Sequence, residues 1–236
     1  MPRPVTTIGF DADDTLWHNE RFFSLTQKRF ATLLADHAAQ DDLMDSLLAA
    51  ERRNLPHYGF GIKGFTLSMI ETAIEVTGGE VPAPVISEIL AAGREMLSHE
   101  VELLPHATAT LEALRHEYRL VLITKGDLLD QERKLAQSGL RAYFDAVEIV
   151  SRKDRETYQR VFERHGDGPT RGVMAGNSMR SDVLPMIEAG GWGVYVPHGL
   201  VWAIEHAEPP GDHYRYAEIA DLAALPELIR RIDGIA

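Results

Sequence analysis

The sequence contains no cysteine, and this absence excludes several kinds of chemistry. Without cysteine there is no disulfide framework, no thiolate nucleophile and no sulfur-ligated metal site. Long apolar runs are also missing, because the longest stretch without Asp, Glu, Lys or Arg, residues 189–204, is broken by four glycines and a proline. We therefore expect no membrane-spanning segment.

Positive charge is scarce as well. The 24 Lys and Arg residues are outnumbered by 36 Asp and Glu residues, which gives a formal net charge of -12. This balance disfavours binding to nucleic acid or to an anionic membrane surface, so an anionic substrate must be met by local positive charge. The N-terminal residues reach an acidic cluster too early to contain the apolar region of a signal peptide, and we expect a cytoplasmic protein.

The pattern of apolar residues predicts the fold class. From Leu103 onward, short apolar runs that predict strands alternate with amphipathic patterns that predict helices, and Val5 to Phe10 predicts one earlier buried strand. The later predicted strands are residues 119–124, 146–150, 172–176 and 193–196. Such alternation requires parallel crossovers, so we predict an α/β fold with a doubly wound, Rossmann-like parallel sheet.

Between the first strand and this alternating region, four amphipathic helical patterns follow one another without a predicted strand. They indicate an all-helical domain inserted into the α/β core. We place the core at residues 1–16 and 103–236 and the helical domain at residues 17–102.

A segment rich in glycine and aromatic residues, residues 54–65 (NLPHYGFGIKGF), separates the second and third helical patterns and predicts an ordered loop. Such a loop could shape a ligand surface, or it could pack its own rings beneath the helices. The candidate substrate contacts in and before it are Arg52, Arg53, His57, Tyr58 and Lys63.

The first strand ends in an acidic cluster within VTTIGFDADDTL, formed by Asp11, Asp13 and Asp14. Because residues i and i+2 of extended backbone point to the same side, Asp11 and Asp13 could address one ligand. Three carboxylates at this spacing repel one another unless a cation or a proton intervenes. The alternative is a solvated acidic turn that caps the following helix.

Other predicted strands also end in polar residues. Thr124 and Lys125 end the second strand, Lys153 follows the third, and Gly176 to Asp182 form a turn of small residues after the fourth. Parallel strands end at one edge of a sheet, and ligands of open α/β sheets bind at that edge. These side chains therefore predict a binding site.

Taken together, these segments resemble the four motifs of the haloacid dehalogenase-like superfamily, whose members are mostly magnesium-dependent phosphatases. FDADDTL resembles the first motif, Thr124 in LITKGD the second, Lys153 the third, and GNSMRSD, residues 176–182, the fourth. The resemblance covers the whole chain, because the four helical patterns match the cap that many members insert after the first motif. It implies a Rossmann-like core with a helical cap that determines substrate specificity.

By this resemblance, Asp11 would be the nucleophile that forms an aspartyl phosphate. Asp13 would act as general acid and then as general base, and its backbone carbonyl would bind the metal. The carboxylates of Asp11 and Asp182 would complete the protein ligands of Mg²⁺. Thr124 would hydrogen-bond a phosphoryl oxygen, and Lys153 would offset the charge beside it.

Two departures from the family pattern concern the phosphate and metal contacts. The fourth motif often begins Gly-Asp, whereas Asn177 stands here, and we expect Asn177 to contact the ligand groups and the phosphate and not the metal itself. The third motif is often Lys-Pro, whereas Lys153 is followed by Asp154. Lys125 is therefore a rival of Lys153 as the phosphate-binding lysine.

The charges of these groups require a cation. With Mg²⁺ and a phosphate dianion bound and Asp13 counted as protonated, Asp11, Asp182 and Lys153 leave about one net negative charge, and without Mg²⁺ about three. Neighbouring carboxylates should also raise the proton affinity of Asp13, as a general acid needs. By the resemblance, dehalogenases of the family lack this aspartate, so Asp13 favours an oxygen leaving group.

We therefore expect a Mg²⁺-dependent hydrolase of a small phosphorylated metabolite. A phosphotransferase or phosphomutase, and a phosphate-binding regulatory protein without activity, are the alternatives; the substrate and the oligomeric state stay open.

Ser178 and Ser181 could bind phosphate or the Asp182 carboxylate, or simply cap a helix. Histidines such as His106, His198 and His213 show no metal-binding spacing, which favours surface or packing roles.

Overall fold

The computed structural model describes residues 5–234 of the chain. These residues fold into two compact units. One contains the residues up to Asn19, Val101–Lys125 and the residues from Gln131 onward, and the other contains Glu20–Glu100 and Gly126–Asp130. We call them the sheet unit and the helical unit.

The sheet unit is built on parallel strands, as the alternating pattern predicts. Within residues 5–234 the strands are β1 (Thr7–Phe10), β2 (Arg119–Lys125), β3 (Ala146–Val150), β4 (Gly172–Gly176), β5 (Trp192–Tyr195) and β6 (Tyr216–Glu218). They form one sheet in the order β3-β2-β1-β4-β5-β6, and every pairing is parallel. The predicted α/β fold with a doubly wound sheet is confirmed.

Strand β1 lies at the centre of the sheet, where the order of the strands reverses direction. Phe10, its last residue, is paired with Leu122 of β2 on one side and with Ala175 of β4 on the other. The backbone N–H of Asp11 continues this pairing by donating to the carbonyl of Ala175 at 2.9 Å. Asp11 therefore follows the strand at the switch point, where ligands of open α/β sheets bind.

Helices cover both faces of this sheet, because successive residues of a buried strand point to opposite faces. Leu120 and Leu122 of β2 belong to one apolar cluster, and Val121 and Ile123 belong to another. The helices of this part of the chain are α5 (Ala107–Leu114), α6 (Leu128–Ser138), α7 (Arg155–His165), α8 (Leu184–Glu188) and α9 (Leu225–Ile232). The first cluster includes residues of α5 and α9, and the second includes residues of α7 and α8.

The helical unit contains the four helices expected from the sequence. They are α1 (Glu20–Leu33), α2 (Gln40–Tyr58), α3 (Ile62–Val76) and α4 (Ala83–Ser98). Their apolar faces form a separate core around residues such as Phe30, Leu47 and Met69, each about 1% exposed. A second hydrophobic core explains why this insertion is a compact unit.

The predicted loop at residues 54–65 is largely wrong. Helix α2 continues through Pro56 to Tyr58, and only residues 59–61 separate it from α3. Pro56 has no N–H to donate to the carbonyl four residues earlier, and the helix nevertheless continues for two residues beyond it. Asn54 is buried and donates to Ser68 Oγ at 3.2 Å and to Glu71 Oε2 at 2.7 Å, which fixes the end of α2 against α3.

Two elements near the C-terminal half were not predicted. The strand β6 has only three residues, and its sequence YAE carries no apolar run. Residues Met179–Val183 form a turn of π-helix before α8 begins. Within residues 5–234, none of the helices combines the length and the apolar character that a bilayer span requires.

Candidate active site

The edge of the sheet beyond β1 brings a buried lysine between two carboxylates. Lys153 Nζ contacts Asp11 Oδ1 and lies 2.7 Å from Asp182 Oδ1. Its side chain is 1% exposed, and Asp182 is fully buried. A charged ammonium group of this kind is stable in the interior only when it is paired, and here two anions pair it. The structure thus joins three residues that lie far apart in the sequence.

Hydrogen bonds hold the Asp11 carboxylate from its other side. Thr15 Oγ1 donates to Asp11 Oδ2 at 3.1 Å, and the same oxygen of Thr15 accepts from the backbone N–H of Asn177 at 3.1 Å. The first strand, the turn after it and the turn after β4 are linked through Thr15. Asp11 therefore has a fixed orientation before any ligand binds.

The protonation of these groups follows from burial and charge. Burial raises the pKa of Asp11 to about 7, with Lys153 opposing the rise and Asp182 adding to it. Burial by itself would lower the pKa of Lys153, but Asp11 and Asp182 outweigh burial and raise that pKa. Lys153 is therefore a permanent cation beside Asp11.

Asp13 is held by three donors that sequence reasoning missed. Trp17 Nε1 donates to it at 2.7 Å, Gln131 Nε2 donates at 2.8 Å, and Lys134 Nζ lies 2.6 Å from Oδ1 and 2.8 Å from Oδ2. Burial alone would raise the pKa of Asp13, but Lys134 and these hydrogen bonds lower it. The expectation that neighbouring carboxylates raise the proton affinity of Asp13 is wrong for this structure, because an ammonium group lies closer.

The arrangement of oxygen atoms fits a small hard cation. The side-chain amide of Asn177 places one atom 3.2 Å from the Asp13 carbonyl oxygen and 3.2 Å from Asp11 Oδ2. With the amide nitrogen at this position, Asn177 donates to both oxygens. With the amide turned over, three oxygen atoms converge, as they do around Mg²⁺. The residues present therefore fit the Mg²⁺ that the resemblance implies.

Both oxygens of Asp182 already have partners. Oδ1 pairs with Lys153, and Oδ2 accepts from the backbone N–H of Ser178 at 2.9 Å. The hydroxyl of Tyr158 donates to the carbonyl of Ser181 at 2.8 Å and lies 3.5 Å from Asp182 Oδ1. Asp182 is thus placed to orient Lys153 and the turn after β4.

The two candidate phosphate-binding lysines have different partners. Lys125 pairs with Glu205 and donates to Ser181 Oγ at 2.7 Å, whereas Lys153 contacts Asp11 directly. Glu205 also accepts from Ser178 Oγ at 2.6 Å.

Thr124, near the end of β2, is 2% exposed. Ser178 Oγ accepts from the backbone N–H of Ser181 at 2.9 Å, which confirms that it caps the turn.

Some candidate substrate contacts of the helical unit are already engaged in ion pairs. Arg53 pairs with Glu71 and Glu75, and Lys63 pairs with Asp127 at 2.8 Å. Tyr58, at the end of α2, is 54% exposed and has the ring of His57 as a neighbour. The side chain of Tyr58 is therefore accessible to a ligand.

The residues that sequence reasoning missed share a position away from the strand ends. Thr15 and Trp17 follow the acidic cluster, Gln131 and Lys134 lie on α6, and Glu205 follows β5 by several residues. One signal was available for α6, since Gln131 and Lys134 are spaced three residues apart and lie on one helix face. The sequence offered no comparable signal for Glu205.

Comparison with known proteins agrees with this geometry. Residues 5–190 match a family model described as haloacid dehalogenase-like hydrolase. This match spans well over half of the chain, and the chain belongs to the haloacid dehalogenase-like hydrolase family.

Individual proteins similar to this chain include phosphatases and a family hydrolase of known structure. Pyrimidine 5'-nucleotidase YjjG of Escherichia coli (strain K12) is 32% identical over 191 residues, which are 78% of this chain and 82% of that protein. N-acylneuraminate-9-phosphatase of Homo sapiens is 27% identical over 184 residues, 73% of this chain and 71% of that protein. A haloacid dehalogenase-like family hydrolase from Xanthomonas campestris, known as a crystal structure, has a TM-score of 0.87 and 42% identity and covers 99% of this chain and 94% of its own. The protein is therefore an enzyme, a hydrolase of the phosphatase type, as the resemblance to the four motifs predicts.

Proposed function

We propose that the protein is a Mg²⁺-dependent phosphomonoester hydrolase that acts on a small soluble metabolite through an aspartyl phosphate on Asp11. The observation that carries the proposal is the buried contact of Asp11 with Lys153, next to the oxygen atoms of Asp13 and Asn177. A carboxylate oriented by Thr15 and flanked by an ammonium group suits in-line attack on phosphorus. The predictions of a cytoplasmic location and of no nucleic-acid or membrane partner belong to the same proposal.

The reaction would proceed in two steps. A carboxylate oxygen of Asp11 forms a bond to phosphorus while the bond to the leaving oxygen breaks, and Asp13 gives its proton to that oxygen. A water molecule then attacks the phosphorus, Asp13 takes a proton from the water, and the carboxylate of Asp11 is released. A bound phosphate dianion adds negative charge beside Asp13, and this favours the protonated form that the first step needs. Thr124 and Lys153 would hold the phosphoryl oxygens.

The metal ligands are part of the proposal. Asp11 and the Asp13 carbonyl would bind Mg²⁺, and Asp182, the predicted third ligand, would use a lone pair that neither Lys153 nor the Ser178 N–H engages. Asn177 would be an alternative third ligand if its amide oxygen, and not its amide nitrogen, faced Asp11 and Asp13. When bound, Mg²⁺ supplies positive charge that offsets the negative charge of the phosphoryl oxygens.

The choice of substrate would belong to the helical insertion, residues 17–102, which we propose as the cap domain of the family. The named relatives suggest two substrate classes, 9-phosphorylated acylneuraminates and pyrimidine 5'-nucleotides. A panel of phosphomonoesters that contains both classes, with and without added Mg²⁺, tests this part of the proposal by phosphate release.

The test of the reaction uses Asp11→Asn with the best substrate of the panel. We expect kcat to fall by at least about a thousandfold, since the variant lacks the attacking oxygen. Asp36→Asn, an exposed aspartate of the helical unit, is the matched control and should keep full activity. Chelation of Mg²⁺ should also stop phosphate release from the wild type. Unchanged release by Asp11→Asn would contradict the proposal, and product formed only with an added acceptor alcohol would indicate a phosphotransferase.

A further inference from the structure

We propose that Asp14, His18 and His198 form a second cation site, one that takes a borderline transition metal such as Zn²⁺. Each residue offers one ligand atom, and these three atoms lie within 4.8 Å of one another. Asp14 is buried, and both histidines are partly buried. The site contains no residue proposed as a ligand of Mg²⁺, and it does not depend on the reaction that the enzyme catalyses.

The distance between His198 and Asp14 suits a single small cation. His198 Nε2 lies 3.6 Å from Asp14 Oδ1. Two ligands of one tetrahedral Zn²⁺, each bonded at about 2.0–2.1 Å, lie about 3.3 Å apart, so a shift of a few tenths of an ångström would bring this pair into place. The rings of His18 and His198 meet edge to face, with centroids 5.9 Å apart and planes at 63°. Such rings can direct one nitrogen each toward a common point.

The tautomer of His198 strengthens the inference. His198 Nδ1 lies 3.2 Å from the backbone carbonyl of Leu200, and a carbonyl only accepts, so Nδ1 must carry a proton. In the neutral ring the lone pair is then on Nε2, which faces the Asp14 carboxylate. A lone pair opposite a carboxylate is repulsive unless a cation or a second proton lies between them. Metal-bound histidines commonly donate their other N–H to a carbonyl in this way.

The Asp14 carboxylate is also fixed by the backbone. Asp14 has a φ of 61°, in the left-handed region that residues other than glycine seldom adopt. Its Oδ1 accepts from the backbone N–H of Asn19 at 2.8 Å. Asp14 is 6% exposed, so water would screen its attraction for a bound cation only weakly.

The chemistry of the ligands separates this site from the Mg²⁺ site. Imidazole nitrogen favours Zn²⁺, Co²⁺, Ni²⁺ or Cu²⁺, whereas Mg²⁺ prefers ligands that are all oxygen. The sequence predicts a surface or packing role for His198, and spacing along the chain cannot reveal this cluster. The fold instead brings the segment after β5 to the turn after β1.

The test is a Co²⁺ titration of the full chain, stripped of metal by a chelator and then kept in saturating Mg²⁺. We expect visible absorption of a nitrogen-ligated Co²⁺ ion at one equivalent, and Zn²⁺ should displace it. His18→Ala and His198→Ala should each weaken Co²⁺ binding at least about tenfold. His116→Ala, whose side chain is 70% exposed, is the control and should bind as the wild type does. Thermal unfolding establishes that each variant is folded, and His198→Gln replaces His198→Ala if the latter is not.

Three results would overturn the proposal. The first is a wild type that binds no Co²⁺ in this titration. The second is Co²⁺ binding that is unchanged in the two histidine variants. The third is loss of the absorption in Asp11→Asn, which would assign the ion to the Mg²⁺ site; we expect Asp11→Asn to keep it.

Discussion

At the scale of single residues, the three aspartates after β1 differ in their positively charged or titratable partners. Asp11 contacts Lys153, Asp13 contacts Lys134, and Asp14 faces His198. The repulsion expected within the acidic cluster is therefore offset separately at Asp11 and at Asp13, each by its own lysine. The separate partners also allow the three carboxylates to have different roles.

A substitution at Gly176 tests whether the Asp182 carboxylate needs the space that the missing Cβ leaves. A Cβ atom added at Gly176 would collide with the carboxylate of Asp182, which holds Lys153. We expect Gly176→Ala to lower kcat at least about tenfold and to destabilise the fold by about 1–3 kcal/mol. Phosphate release and chemical denaturation measure the two effects. Gly199→Ala is the control, since a Cβ there meets no atom within 4 Å, and equal effects of the two variants would refute the prediction.

A substitution of Lys134 tests how much its ion pair with Asp13 stabilises the folded protein. We expect Lys134→Met to lower the free energy of unfolding by about 1–3 kcal/mol near neutral pH, because a mostly buried carboxylate loses its cation. Chemical denaturation over a range of pH measures this loss. Lys28→Met, at an exposed lysine of α1, should change the stability little.

The decrease in the free energy of unfolding caused by Lys134→Met should depend on pH in one direction. Lys134 lowers the pKa of Asp13 in the folded state, so its stabilisation is present above the unfolded pKa of about 3.9 and is lost as the pH falls through the folded pKa. The difference in stability between wild type and Lys134→Met should therefore narrow in acid. A difference that widens as the pH falls would show that Lys134 acts through something other than Asp13.

At the scale of the elements, close contact between α3 and α4 depends on Gly93. An added Cβ would collide with Thr66 Oγ1 and would lie 3.1 Å from Thr66 Cγ2. We expect Gly93→Ala to destabilise the protein by about 1–3 kcal/mol, which outweighs its gain of about 1 kcal/mol in helix propensity. In a Thr66→Ala background the same change should become neutral or stabilising. Denaturation of the four proteins measures this coupling, and equal effects of Gly93→Ala in both backgrounds would rule out the contact.

Most of the elements could be predicted because their periodicity is strong. The strands at residues 119–125 and 172–176 are apolar runs between polar residues, and helices α1 to α4 carry clear amphipathic patterns. The three-residue strand β6 and the passage of α2 through Pro56 depend on tertiary pairing, which local propensity does not contain.

The candidate site also contains residues that the sequence could predict and residues that it could not. Asp11, Thr124 and Lys153 could be found because parallel strands must end at one edge. Lys134 and Glu205 could not, because their approach to Asp13 and to Lys125 depends on where α6 and the segment after β5 lie. The sequence predicts a raised pKa for Asp13, whereas the structure lowers this pKa because Lys134 lies beside the carboxylate.

At the scale of the whole molecule, the chain leaves and re-enters the sheet unit at adjacent residues. Trp17 forms an antiparallel bridge with Leu103, and the backbone N–H of His18 donates to the carbonyl of Glu102 at 3.0 Å. The helical insertion therefore begins and ends at neighbouring points. This is the geometry expected of a domain that was inserted into a complete fold.

Replacing residues 20–100 with a short flexible linker tests this independence. We expect the shortened chain to fold and to unfold cooperatively, because the sheet and its two apolar clusters are formed by the remaining residues. Circular dichroism and thermal unfolding measure the outcome. A shortened chain without a cooperative transition would show that the sheet unit cannot fold without the helical unit.

The most direct test of the central claim is to detect the phosphoryl group on Asp11. Wild-type protein is mixed with its best substrate and Mg²⁺ and quenched in acid within one turnover, and the acyl phosphate is trapped by borohydride and located by peptide mass spectrometry. We predict that the trapped residue is Asp11 and that Asp11→Asn gives no trapped product. Phosphate release at full rate with no modified residue, or with the modification at a residue other than Asp11, would contradict the account.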